Sequence, residues 1–320
     1  MRPLARSTIQ LLPLILGAGE ALANHGPGTS GGGSSTASGE TLRAGGFELS
    51  LRTDATWFES VSRSEAEARA IQSGEFDGLR SSLLETLSLG YGVTDDFQIN
   101  VQTGYYQGSD FIDAEADGMG GAESAVADPN GMTDLWITGK LRVMRGERGH
   151  LALIGGFKLP TGEDDELLSN GEPLEPSSQP GTGSVDYLGG IAYSRYLTGR
   201  LTLDASGIYT LRTEHDDFQV GDRFDLGLAL AWRLTESIQS FPNASVSAEI
   251  LGTWIGKDDD DGDTNENSGG TVVYFAPGFR ERFSQALSLA VAPAFPIAQD
   301  PNGDQVDTDA KLAVSLDWSI

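Results

Sequence analysis

Cysteine is absent from the 320 residues, which excludes disulfide staples, thiolate zinc sites, Fe–S clusters and a cysteine nucleophile. Histidine is nearly absent: His25, His150 and His215 leave little for imidazole-based metal or acid–base chemistry. Basic residues are scarce, 21 Lys and Arg against 47 Asp and Glu, and a net charge of −26 rules out the basic face that nucleic acid requires. Catalytic patterns are missing too. There is no Gly-x-Ser-x-Gly elbow, no P-loop and no His-Glu-x-x-His, so the sequence predicts no catalytic residue and no cofactor. What is plentiful is glycine, 42 residues without a collagen period, which points to turns and strands rather than long helices.

The first residues read as a targeting segment. Arg2 and Arg6 precede an apolar stretch from Ile9 to Ala18, and Ala21-Leu22-Ala23 is a small-x-small cleavage pattern. This order predicts a secretory signal peptide over 1–23, too short in its apolar part to span a bilayer as a helix. Residues 24–43 are rich in Gly, Ser and Thr and read as a flexible lead-in unable to bury apolar surface, with His25 solvated within it.

From residue 44 onward a period of two replaces any helical period. Phe224, Leu226, Leu228, Leu230 and Trp232 alternate with Arg223, Asp225, Gly227, Ala229, Ala231 and Arg233. Twelve such segments occur, at about 45–58, 81–93, 96–107, 133–144, 149–160, 184–197, 200–212, 222–235, 243–256, 270–281, 285–297 and 308–319. Strands of soluble sandwiches average about 5–6 residues, whereas a tilted strand crossing a bilayer needs about 9–11. The connections alternate between long and tight. The long ones hold 30 of the 47 acidic residues, against only Arg63 and Arg69. Trp57, Tyr105, Phe157, Tyr187, Tyr209, Phe224, Trp254, Tyr274 and Phe295 fall near one end of their strands. Tyr91, Phe97, Tyr193, Trp232, Phe283 and Trp318 fall near the other. Together these features predict an all-β fold, a transmembrane antiparallel up-and-down barrel of about twelve strands over 44–320 in the bacterial outer membrane, with outer-membrane lipids as its surroundings.

Charged residues that alternate opposite the greasy rows cannot face hydrocarbon without a penalty of about 2–4 kcal/mol for Arg or Lys near the midplane. The predicted lumen-lining set is Arg52, Asp54, Asp134, Lys140, Arg142, Lys158, Asp204, Arg212, Arg223, Asp225, Arg233, Glu249, Lys311 and Asp317. These residues either line a polar lumen narrowed by inward loops, the favoured reading, or fill the interior as cross-barrel ion pairs. The acidic runs Asp258, Asp260, Asp263 and Asp300, Asn302, Asp304 are weak calcium candidates without an EF-hand register; solvated loop charge is the default reading.

Three short motifs carry a resemblance. Thr138 to Val143, Phe157-Lys158-Leu159-Pro160-Thr161-Gly162 and Gly181-Thr182-Gly183-Ser184-Val185-Asp186 resemble the MetA-pathway of phenol degradation family, from about residue 45 to the C-terminus. The resemblance implies a transporter-type outer-membrane barrel taking small-molecule solutes, hydrophobic or aromatic ones among them, inserted by the barrel-assembly machinery. One departure is the end of the chain, Trp318-Ser319-Ile320, where such barrels commonly finish on an aromatic residue. The expectation is passive uptake through a channel. The alternatives are a non-transporting surface or adhesive barrel and a membrane-embedded lipid hydrolase. The last is disfavoured because His150 falls at a turn and His215 in a loop.

Overall fold

A computed structural model describes residues 33–146, 149–237 and 240–320. The segment read as a signal peptide lies outside the described residues, as do residues 24–32.

Twelve long strands close into one antiparallel barrel. They are β1 (Phe47–Phe58), β2 (Ser81–Thr94), β3 (Phe97–Ser109), β4 (Leu135–Gly146), β5 (Gly149–Leu159), β6 (Tyr187–Tyr196), β7 (Leu201–Leu211), β8 (Arg223–Arg233), β9 (Asn243–Ile255), β10 (Gly270–Arg282), β11 (Leu287–Pro301) and β12 (Thr308–Ser319). Each pairs with its chain neighbours, and β12 returns to β1 in register from Glu48 opposite Ser319 to Phe58 opposite Thr308. Closure leaves the barrel wall without an edge.

The alternation decides which way each residue points. On β8, Leu226, Leu228 and Leu230 stand on the outside at 45–53% exposure, while Arg223, Ala229 and Ala231 are no more than 2% exposed inside. Large apolar side chains on the outer wall and charged ones inside invert the arrangement of a soluble domain. Trp57, Tyr105, Phe157, Tyr187, Tyr209, Phe224, Trp254 and Phe295 are exposed near one rim, and Tyr91, Trp232, Phe283 and Trp318 near the other. Tyr274 departs from the expected outer belt: it is 1% exposed, faces inward, and its hydroxyl lies 3.3 Å from Thr308 Oγ1. Its neighbour Phe275 takes the outward position instead. Two adjacent aromatics gave the period no means to choose.

The long connections are folded. An α-helix, α1 (Arg63–Ser73), packs on a three-stranded sheet formed by Glu75–Gly78, Phe111–Ala116 and Ala122–Ala127. Phe58, Phe76, Leu79, Phe111, Leu168, Leu174 and Val306 share a core there, so four connections condense into one cap at the outer rim. A helix was not anticipated: Ala66 and Ala70 alone bury its inner face, too few apolar positions for a helical period to show.

Leu228, midway along β8, tests the lipid-facing assignment. Leu228→Arg is expected to destabilise the barrel by about 2–4 kcal/mol in denaturant titrations in lipid vesicles. Little change in the unfolding midpoint would place this face in water.

Candidate functional site

Part of the segment expected to be a flexible lead-in lies in the barrel interior, which corrects that reading for its described residues. Residues 33–45 run from mid-lumen to the rim where the chain termini of the barrel meet, and Gly33, Ser34 and Thr36 to Gly39 are buried. Having no strand partner, the segment takes its partners from the inward side chains of the wall. Glu249, fully buried at the middle of β9, accepts the backbone N–H groups of Ser34 at 2.5 Å, Ser35 at 3.1 Å and Thr36 at 3.0 Å, and the Thr36 hydroxyl at 2.9 Å. Ser206 Oγ accepts from Ala37 N, Ser194 Oγ from Gly39 N and Gln98 Oε1 from Leu42 N. The carbonyls are met from the other side: Arg52 donates to Ser34 O, Arg280 to Gly33 O and Lys140 to Ser38 O. Small residues permit this approach. A Cβ on Gly39 would sit 2.3 Å from the His150 carbonyl oxygen.

Above this plug the interior changes character. Ala37 packs into an inward girdle of Trp136, Ile154, Leu188, Ala192 and Ile208. Sequence reasoning missed the girdle because Trp136 and Ile137 are adjacent apolar residues and either could face in. A narrow cavity of about 60 Å³ opens beside it, lined by Leu84 and Trp136 on one hand and by Lys158, Arg212 and Arg223 on the other.

The family-like motifs build the upper wall of this cavity. Lys158 Nζ lies 2.9 Å from Asp134 and 2.7 Å from Asp186, all three buried, and also bonds Thr182. Asp134 accepts from the N–H groups of Thr161, Gly162 and Thr182, so one carboxylate clamps both ends of the β5–β6 connection at the barrel mouth. Gly162 and Gly181 touch so closely that a Cβ on either would lie 2.8 Å from the other's backbone.

The remaining inward residues fall at several depths. Arg52–Asp54 and Arg223–Asp225 are paired at 2.7 Å, Asp204 bonds Ser194, and Asp317 accepts from Ser50. Lys311 sits 4.9 Å over the Tyr274 ring, and Arg212 donates to Gly221 O. Arg142, paired with Asp96, and Arg233, bonded to Gly199 O, sit at the inner rim rather than in the cavity. The interior therefore holds both plugging polypeptide and ion pairs.

The acidic candidates in the outer loops are dispersed. Asp258 is buried, accepts from Gly221 N and is pushed up to about 6 by burial. Asp260 and Asp263 lie opposite each other in a small hairpin, Asp300 faces Thr271, Asn302 donates to Ser268 O, and Asp304 pairs with Arg69. Among the described residues no three His, Cys, Asp or Glu side chains are grouped to hold a metal ion. The concentrated charge is elsewhere, in the cap, where Glu75 faces Glu115 and Asp77 faces Asp113 across the sheet. Burial first, then these like charges, pushes Glu75 up to about 8 and Asp113 up to about 7, and raises Asp77 well above the usual carboxylate range.

Comparison with known proteins settles what this barrel is. A family model described as putative MetA-pathway of phenol degradation matches residues 24–292. The chain belongs to that family. The match starts well before the first strand and takes in the lumenal segment. Among solved structures, the COG4313 outer-membrane channel from Pseudomonas putida F1 is similar in fold, with a TM-score of 0.60 at 14% identity, covering 88% of this chain and 97% of that one. The CymD monoaromatic hydrocarbon channel gives 0.42 at 11% identity, covering 87% and 88%, and the NanC porin 0.43 at 8% identity, covering 84% and 98%. No curated protein matches in sequence. The protein is thus an outer-membrane β-barrel of the phenol-degradation MetA-pathway family.

Two outcomes check the geometry of this family member. Glu249→Ala leaves three backbone amides in the lumen without an acceptor, at about 1–3 kcal/mol each. The plug is expected to loosen and single-channel conductance in planar bilayers to rise; an unchanged conductance would show that the segment does not limit the axial path.

The cap carboxylates give a pH dependence. Their pKa values are raised in the folded cap, so folding retains protons that the unfolded loops release. Their contribution is fully present below about pH 4 and is lost as pH rises through 7 to 8. Protease nicking of the outer loops should therefore increase from pH 5 to pH 8.5, and Glu75→Gln with Asp113→Asn should flatten that rise.

Proposed function

We propose that the barrel passes small aromatic or hydrophobic compounds across the outer membrane, down their concentration gradients. The observation that carries this reading is the girdle of Trp136, Ile154, Leu188 and Ile208, an apolar ring facing inward among the polar and charged side chains of the lumen. Trp136 of this girdle also lines the cavity, so a solute lodged there meets an apolar face. Burying apolar solute surface against such a ring contributes about 25 cal/mol per Å², whereas a sugar would lose hydrogen bonds to water without replacement. The cavity's opposite wall, with Arg212 and Arg223, suits the hydroxyl or carboxylate borne by many oxidised aromatics. Membership of a family named for phenol degradation supports the same substrate class.

Influx into vesicles whose outer leaflet is lipopolysaccharide tests this reading. Protein-containing vesicles should take up benzyl alcohol faster than protein-free ones, with no comparable gain for a sugar, and Trp136→Ala should reduce the difference. Equal influx with and without protein would favour a surface barrel that transports nothing.

A further inference from the structure

The cap at the outer rim buries carboxylates without giving them a counter-charge. Glu75 and Asp77 point to one face of the cap sheet, and Glu115 and Asp113 stand opposite them on the neighbouring strand. Phe76 and Ala114 point the other way, into the core shared with Ala66 and Ala70 of α1. Opposed residues of a sheet have Cβ atoms about 4.5–5.5 Å apart, so each pair brings two carboxylates together. Glu75, Asp77 and Asp113 are each only 7% exposed, and Asp77 Oδ2 is buried with no hydrogen-bond partner. The charges that act on Asp77 are all negative: Asp113, Glu75 and Glu115. Arg69 serves the opposite face, where it lies over the Phe76 ring and pairs with Glu59, Glu65 and Asp304.

A fifth carboxylate closes in from another connection. Glu175, between β5 and β6, has its Oε2 buried without a partner and lies within electrostatic reach of Asp77, Glu75 and Asp113. Buried anions crowded in this way need a proton or a cation among them. The available donors are carboxylate oxygens, the set that hard divalent cations take. No three acidic side chains among the described residues are grouped around one point, so an ion here rests on a cross-strand pair and fills its other positions with water. Calcium, which accepts carboxylates through one oxygen or both in loose geometry, fits such a pair better than magnesium, which demands a near-ideal octahedron. Half-buried Glu115 and exposed Glu172 mark the way in from solvent.

We propose that Asp77 and Asp113 bind one calcium ion across the cap sheet, with Glu75, Glu115 and Glu175 supplying the surrounding negative field. Asp77 belongs to the β1–β2 connection and Asp113 to the β3–β4 connection, so the ion latches together two outer loops whose carboxylates otherwise repel. The site is independent of what passes through the lumen.

Limited proteolysis of the whole barrel in detergent tests it, because nicking of the cap follows the fraction of molecules in which it opens. With a chelator at about pH 8.5 the carboxylates are ionised and the outer loops are cut. Calcium at about 10 mM should slow the cutting about tenfold or more, as an ion bound only by the closed cap with a Kd of about 10⁻⁴–10⁻³ M would do. Asp77→Asn with Asp113→Asn keeps the shape of both side chains and removes their charge. This variant should be cut in chelator no faster than the wild type and should lose the response to calcium. Asp260→Asn with Asp263→Asn, in the small outer hairpin, should retain it. Titration calorimetry should find one saturable calcium per wild-type chain and none in the Asp77–Asp113 variant. No protection of the wild type by calcium, or equal protection of the Asp77–Asp113 variant, overturns the site. So does equal protection by potassium chloride at the same ionic strength, which would show that screening alone relieves the repulsion.

Discussion

Every backbone N–H and C=O placed where water is excluded must find a partner, and this demand shapes the protein at each level. In the wall it forces the strands to close, β12 onto β1, because an edge strand in hydrocarbon would carry a row of unmet groups. In the lumen it acts on a segment with no strand beside it. There Glu249, Ser206, Ser194 and Gln98 accept the amides of Ser34, Ser35, Thr36, Ala37, Gly39 and Leu42, and Arg52, Arg280 and Lys140 donate to carbonyls of the same segment. Inward side chains thus do for the plug what neighbouring strands do for the wall.

The same demand makes one stretch between β10 and β11 stand out, since Pro277 and Pro293, opposite each other there, have no N–H with which to meet it. The interior is divided by chemistry along its length. Ion pairs and threonine hydroxyls surround the outer cavity, which shares Trp136 with an apolar girdle, and hydrogen-bonded polypeptide packs against that girdle through Ala37. Lys158 between Asp134 and Asp186 anchors the outer connections, so the family-like motifs serve first to shape the mouth.

Strand number and direction, the alternation of long and tight connections and the inward charged rows were legible because period two is a local property. Each strand reports its own two faces without knowledge of its neighbours. Legibility failed where two adjacent residues had the same character. Trp136 beside Ile137 hid the girdle, and Tyr274 beside Phe275 put the wrong ring in the aromatic belt. It failed again for the Gly- and Ser-rich segment. Composition identifies such a stretch as unable to build a core, but its backbone can still be satisfied by a surface that the rest of the chain supplies.

The amino-acid sequence by itself determined a twelve-stranded barrel with an apolar outer surface and an acidic outer rim, because hydrophobic period and loop length are written residue by residue. Only the tertiary structure decided that four acidic connections share one hydrophobic core, and that Glu249 grips residues 34 to 36. It also decided that two prolines sixteen residues apart face each other across β10 and β11. Those features depend on which strands and loops become neighbours, and neighbourhood is fixed by closure of the whole barrel.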